Sequence, residues 1–352
     1  MNLNRLSRGA LTVAAFTLAA ATASAQTTVL RHSNWFPEGQ VMRVNVIEPW
    51  IAEVAKVTNG RVHIDTLPKV VGSVSGQLDV ARDGQADITV LSTGYTPGRF
   101  DMLEIGELPF MGDNPSVFGP ALHRFYTKHL ASYNEFKGVV PLSVFVVAPP
   151  QIFNAKRALH SIADFKGLKL RSNNATTTTA LSLLGAVPVS KPATETYELI
   201  SSGVLDGSMM PPESIVAFKL VEKSNFATIV PAALSNSILA LVINEAEWKS
   251  LSQADRDAIS KISGEVFAKK IGDAYAPGNE ATWDAMRKAG KSIETVSAPM
   301  LAEMKALLKP MEATWADRAK KKGAAQPEKL IEALRAEVAA GSTATATANA
   351  GR

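Results

Sequence analysis

Arg171 ends the run Asp164-Phe-Lys-Gly-Leu-Lys-Leu-Arg171, and its type and position suit it to bind an anion. Lys166-Gly167 reads as a turn. Leu168 and Leu170 alternate with Lys169 and Arg171, so a short strand delivers one guanidinium at its end. Ser172-Asn173-Asn174 then supplies small polar side chains and an N-cap for a helix over 176–184, closed by Gly185. A second helix is expected from Thr194, carrying Glu195, Tyr197 and Leu199. A carboxylate fits a guanidinium placed beside a helix N-terminus: the fork gives two parallel charge-assisted hydrogen bonds, and the helix end favours negative charge. Taken alone, such an arginine reads more readily as a surface residue, so the rest of the chain must shift that reading.

Other chemistry has little support. Gly290-Lys291-Ser292 resembles the tail of a phosphate loop, but Ala285 stands where its first glycine should be. The five histidines, His32, His63, His123, His129 and His160, form no metal-binding spacing on a helix. Gly72-Ser-Val-Ser-Gly76 has Val74 at the nucleophile position of an elbow motif. The chain has no cysteine, which excludes thiolate and disulfide chemistry. No catalytic residue, metal site or cofactor is expected.

The elements that must hold Arg171 follow an α/β plan. Thr28 to His32 reads as a strand and 33–39 as the loop leaving it. Pro49 fits the first turn of a helix closed by Thr58-Asn59-Gly60. Val62 and Ile64 mark a second strand, Leu78 and Ala81 a helix, and 86–90 a third strand. This β-α-β-α-β order implies a parallel sheet with ligands outside the carboxyl ends of its strands. Gly84-Gln-Ala-Asp87 and Gly203-Val-Leu-Asp206 repeat one phrase, each after a helix and before a strand, which suggests two related lobes. The stretches 139–147 and 235–244 serve as the strands crossing between them.

Beyond Glu245 the chain turns helical, with Ser252-Gln-Ala-Asp255 as a capping box opening a helix whose Ile259, Ile262 and Val266 share a face. Trp283 with Met286, Met300 with Met304, Leu307 with Met311, and Leu330 with Leu334 read as core stripes. The tail from 339 is low in complexity and is expected to be unstructured.

With 352 residues, the chain is long enough for two domains. Its first 25 residues read as a secretory signal: Arg5 and Arg8, an apolar run over 10–21, and Ala23-Ser24-Ala25 before Gln26. Removing them takes two arginines and lowers the formal charge from +4 to +2. The basic residues are dispersed, and Lys320-Lys321-Lys322 reads as a solvated helix end, so nucleic acid is not an expected partner. No later apolar run reaches membrane-spanning length.

The run Ser161-Ile-Ala-Asp-Phe-Lys-Gly-Leu-Lys-Leu-Arg171 resembles the solute-binding subunits of TRAP transporters, the DctP-like family. Gly185-Ala-Val-Pro188, Glu195-Thr-Tyr197, Gly203-Val-Leu-Asp-Gly207, Thr58-Asn59-Gly60, Gly84-Gln-Ala-Asp87 and Leu108-Pro109-Phe110 extend the match from Thr28 to about Leu334. The resemblance implies a two-lobe periplasmic-binding-protein fold, type II-like, with a ligand cleft between lobes joined by extended hinge strands. The expected division is 26–148 plus 237–276 for the first lobe, 149–236 plus 277–338 for the second, and 339–352 for the tail. It further implies a periplasmic, non-enzymatic receptor that passes a small organic acid to a membrane permease.

Arg171 falls on the family arginine that pairs with the ligand carboxylate. Gln151 stands where the sialic-acid-binding branch has a second arginine, and Met210 where that branch has an asparagine. With Met209 and Pro211 beside them, these residues point to a monocarboxylate with an apolar or aromatic body. By the same alignment Ser33, Trp35, Ser92 and Tyr95 line the first lobe's side of the cleft, and Asn173 lies next to the arginine. Two alternatives remain open at this level: an enzyme on a similar scaffold, and a sensory receptor for a membrane kinase.

Overall fold

A computed structural model describes residues 27–350, with side chains to residue 343; the signal segment read over 1–25 lies outside the described residues. The first part of the chain supplies β1 (Thr28–Ser33), α1 (Glu48–Val57), β2 (Val62–Thr66), α2 (Gln77–Arg82), β3 (Ile88–Ser92), α3 (Pro115–Phe125) and β4 (Val139–Val146). The next part supplies β5 (Gln151–Asn154), β6 (Lys169–Ser172), α4 (Ala175–Leu183), β7 (Val187–Ser190), α5 (Thr196–Ser201), β8 (Gly207–Met210), α6 (Pro212–Ala217) and β9 (Phe226–Ile229). The remainder gives β10 (Ile238–Asn244), α7 (Glu245–Ser250), α8 (Gln253–Ile262), α9 (Gly264–Lys288), β11 (Ser292–Thr295), α10 (Ala298–Leu308), α11 (Pro310–Lys321) and α12 (Pro327–Ala350).

Two sheets form, ordered β2-β1-β3-β10-β4 and β11-β9-β5-β8-β6-β7. The expected parallel order holds for β2, β1 and β3. Strand β10 departs from it by running antiparallel to both β3 and β4. Every residue of β10 is buried, as a strand covered on both faces requires.

The repeated Gly-x-x-Asp phrase has the same structural job in each lobe. Gly84 and Gly203 both take positive φ (67° and 75°) in the turn after a helix, a conformation glycine adopts without strain. Asp87 then accepts the Arg31 N–H of β1 at 2.7 Å, and Asp206 accepts the Lys169 N–H of β6 at 2.9 Å. The backbone N–H groups of these aspartates donate back to the carbonyls of the same two residues, each at 2.8 Å. This reciprocal pairing ties β1 to the start of β3 in the first lobe and β6 to the start of β8 in the second, and it places β6 in the second lobe where β1 stands in the first.

Chain crossing between the sheets is shorter than the sequence suggests, because β4 pairs wholly within the first sheet. Residues 147–150 make the outward crossing and 230–237 the return. A third connection is α9, which packs on α3 and β4 of the first lobe and on α6 and β11 of the second, so the expected boundary at residue 276 falls inside a helix. Helix α10 packs on α4, but α12 packs on α3, placing the end of the chain against the first lobe. Trp315 donates to the Asp101 carbonyl at 2.9 Å, and Arg318 pairs with Glu104, which fastens α11 there too.

One apolar core runs through both lobes, joining Phe100, Phe118 and Val144 to Ile152, Phe165 and Leu170 and to Trp315. A second fills the first lobe around Trp50 and Phe267, and a small third one the second lobe around Phe153 and Trp283.

Three details correct the sequence reading. The capped helix at Ser252 stops at Ile262, and Val266, in the next helix, is exposed instead of continuing the buried face. Leu307 is also exposed, because a new helix begins at Pro310 before Met311 and the stripe breaks there. The tail continues α12 to Ala350: its alternate alanines favour helix, and the segment follows a helix already formed, so nucleation is not repeated.

Candidate functional site

Strand β6 carries Arg171 to its carboxyl end, between β7 and β8. The side chain is 2% exposed. Its Nε donates to the Lys191 carbonyl (2.7 Å), one terminal nitrogen to the Met209 carbonyl (3.1 Å) and the other to the Tyr95 hydroxyl (3.2 Å). A guanidinium has five N–H groups, so one remains on each terminal nitrogen. Among the described residues no carboxylate pairs with it. Burial pulls its pKa down, against the Tyr95 hydroxyl and the more distant Glu195, yet an arginine stays charged in a protein.

The turn after β6 is built by two asparagines with different tasks. Asn174 caps α4 by accepting the Thr177 N–H at 2.6 Å, and its amide nitrogen holds the Asn236 carbonyl at 3.0 Å. Asn173 donates to Ser237 Oγ at 2.7 Å and accepts from Thr177 Oγ1 at 3.1 Å. Both side chains therefore bind the second lobe to the return crossing.

Arg171 and Asn173 open into a cavity between the lobes. Trp35, Ser92 and Tyr95 of the first lobe and Met210 and Pro211 of the second line it as well. Trp35 spends its only donor on the Val90 carbonyl (2.7 Å), so what it offers the cavity is an aromatic surface. Tyr95 bridges the lobes: its hydroxyl accepts both from Arg171 and from the Ala193 N–H at 3.0 Å.

Two of the residues expected in the site are spent elsewhere. Ser33 is fully buried and its Oγ accepts the Val71 N–H at 3.0 Å, anchoring a neighbouring loop. Gln151 accepts the Val230 N–H at 2.7 Å and donates to the Pro149 carbonyl at 3.3 Å, so both ends of its amide are committed to the backbone. Met209 turns into the core shared by the lobes, since alternate strand residues face opposite ways and Met210 takes the cavity side.

Sequence reasoning missed Phe36, Met42, Phe218 and Leu239, which widen the apolar lining, and Gln40 and Tyr275, which are polar. They come from segments far apart in the chain. Only Phe36 sat within a stretch already read as a cleft-side loop.

Among the described residues, the cavity lining includes no His, Asp, Glu or Lys. His32 is buried outside the cavity lining, and burial, with Arg43 adding to it, lowers its pKa to about 4. Among the described residues no group of three or more His, Asp or Glu could hold a metal ion. A concave, mainly apolar cavity with a few fixed polar groups is the usual form of a small-molecule site.

Comparison with known proteins gives this geometry a context. The model of bacterial extracellular solute-binding proteins, family 7 (DctP), matches residues 32–318. A TRAP periplasmic solute-binding protein from Bordetella bronchiseptica, solved with (R)- and (S)-mandelate, is 33% identical, with a TM-score of 0.85 over 88% of this chain and 98% of that one. One from Rhodoferax ferrireducens T118, with copurified benzoate, is 27% identical, with a TM-score of 0.86 over 91% and 100%. A marine metagenome protein specific for aromatic acids, solved with 3-hydroxybenzoate, is 30% identical, with a TM-score of 0.84 over 89% and 98%.

Proposed function

Because this chain belongs to bacterial extracellular solute-binding protein family 7, we propose that its cleft captures a small aromatic monocarboxylate and that a membrane permease receives it. The observation that carries the ligand class is a buried arginine without an acidic partner, opening into a cavity with aromatic walls. Arg171 offers one N–H from each terminal nitrogen, and a carboxylate accepts both in the bidentate manner. Tyr95 adds a third donor. Its oxygen already accepts from two obligate donors, the guanidinium and a backbone N–H, so its own proton is left for the ligand.

Trp35, Phe36, Met210 and Phe218 supply the apolar surface for the ring. With Gln151 committed to the backbone, Arg171 is the one cation in the lining among the described residues, which favours a single carboxylate over a dianion. The three solved relatives were found with mandelate, benzoate and 3-hydroxybenzoate, acids of this kind. A receptor of an exported family needs to reach the periplasm, and the signal read over 1–25 provides the route. No helix among the described residues is long and apolar enough to cross a membrane.

A thermal-shift and calorimetric panel of benzoate, mandelate, phenylacetate, succinate and sialic acid tests the ligand class. The aromatic acids should raise the melting temperature and bind with 1:1 stoichiometry. Tight binding of sialic acid or succinate with none of the aromatic acids would overturn the assignment.

A further inference from the structure

Apart from Ser92, the polar side chains lining the cavity fall into two sets. The first holds two separate pairs, Arg171 with Tyr95 and Asn173 with Ser237. Gln40, Tyr275 and Ser214 form the second, gathered around the buried carboxylate of Glu213. No hydrogen bond among the described residues joins one set to the other, and the proposed carboxylate site uses only the first.

Donor and acceptor roles in the second set follow from the backbone. Gln40 Oε1 accepts the Arg43 N–H at 3.1 Å, which fixes the amide orientation and makes Nε2 the donor. Nε2 donates to Glu213 (3.4 Å) and to the Tyr275 hydroxyl (3.1 Å), which uses both of its hydrogens. Glu213 also accepts the Val41 N–H at 3.2 Å and the Ser214 hydroxyl at 3.3 Å, so the cluster ties α6 of the second lobe to the first. Tyr275 is thereby held as an acceptor from Gln40. Its own proton has no acceptor among the described residues, although the side chain is only 1% exposed. A buried hydroxyl donor left unused is costly, and Tyr275 is one of the residues lining the cavity.

We propose that Tyr275 donates this hydrogen bond to a neutral oxygen on the far side of the bound acid, a ring hydroxyl, and so sets the preference among aromatic acids. The inference rests on the aromatic-acid reading of the cleft and adds to it the substituent that the cleft selects. Burial, with the nearby Glu213 carboxylate, pushes the phenol pKa well above its usual range, so the proton stays available for donation. The oxygen it meets must accept, which a ring hydroxyl does and a ring C–H does not. An analogue that leaves a buried polar group unpaired is rejected more strongly than one lacking an apolar contact.

Calorimetric titration of the parent and Tyr275→Phe with benzoate, 3-hydroxybenzoate and 4-hydroxybenzoate tests this. The parent should bind at least one hydroxybenzoate more tightly than benzoate. Tyr275→Phe should weaken that acid by roughly 3- to 10-fold, the scale of one neutral hydrogen bond, and leave benzoate within about twofold. Retained benzoate binding also shows that the variant is folded. The proposal is overturned if the parent prefers benzoate to both hydroxybenzoates, if the substitution weakens all three equally, or if it changes none. A parent that binds none of the three overturns the aromatic-acid reading itself, an outcome distinct from the others.

Discussion

Arg171 and Glu107 are both buried, each without an opposite charge beside it among the described residues, and the two solve that problem differently. Arg171 faces the cavity with Asn173. Glu107 lies outside the cavity lining, 1% exposed, with neither oxygen at hydrogen-bonding geometry; the Ile238 N–H and the Asn174 and Thr93 side chains are near enough to favour its ionised form, but they do not offset burial. Burial, with Glu104 adding repulsion, raises the Glu107 pKa well above the carboxylate range. A glutamic acid can take up a proton and become neutral, so it needs no charged partner. An arginine has no such exit and keeps its charge, and Arg171 keeps it on three neutral acceptors beside an open cavity. An unpaired buried charge therefore points to a ligand only when its protonation cannot change and a cavity adjoins it.

The largest effect that could break this contrast is at Arg171. Replacing it with alanine should cost about 2–5 kcal/mol of affinity for the best aromatic acid, a loss of roughly 30-fold to several thousand-fold. Lysine should recover only part, since it keeps the charge without the planar fork. The unliganded melting temperature should not fall in parallel, because removal also takes away a desolvated charge. Binding of Arg171→Ala within about threefold of the parent would place the carboxylate elsewhere.

Next is Gln151, which was expected in the cleft and proved to be a structural tie. Gln151→Ala leaves the Val230 N–H without its acceptor, so about 1–3 kcal/mol of stability should be lost while affinity stays within about threefold. Denaturant unfolding beside calorimetry separates the two, and lost affinity with unchanged stability would return the residue to the binding site.

Glu107→Gln should have a smaller and pH-dependent effect. The raised folded pKa means that the stability contributed by Glu107 is fully present below the unfolded pKa and is lost as pH rises towards the folded value. The amide copies the neutral acid and does not titrate, so the variant should gain stability over the parent as pH rises above about 4.5. Glu135, which burial pushes up to about 7 against two backbone N–H donors, titrates in both proteins and cancels from the difference. Melting curves that stay parallel from pH 5 to 8 would show that Glu107 is ionised in the fold.

The smallest effect is spectroscopic. Trp35 lines the cavity, so ligand saturation should change the tryptophan emission, and Trp35→Phe should abolish most of that change while the affinity stays in the same range. A full emission change in the variant would assign the signal to a different tryptophan.

Arg171 was legible in the sequence because a turn, an alternating strand and an N-cap are all local patterns within a dozen residues. The doubled Gly-x-x-Asp phrase was legible for the same reason, and its two copies proved to make the same pairing. Gln151 was misplaced because no sequence shows that the Val230 N–H lacks a backbone partner and will take a side chain instead. Tyr275 and Gln40 were invisible for a different reason: a tyrosine on a long amphipathic helix looks like core packing, and only the crossing of α9 over both lobes brings it to the loop after β1. The boundary expected at residue 276 was obscured in another way, since α9 runs unbroken from one lobe to the other.

Helix α9 has a mechanical consequence. It is a 25-residue rod clamped at one end by the first lobe and at the other by the second, and Pro277 stands inside it. Proline has no N–H to give the Asp273 carbonyl, so the rod is missing a stay at that point and its stiffness is lowest there. Any swing of one lobe against the other must flex this rod, and the flexure concentrates at the weak turn, two residues from Tyr275. The elastic work of bending α9 would therefore enter the free energy of any such swing, and the curvature of the rod would set where Tyr275 stands at its end.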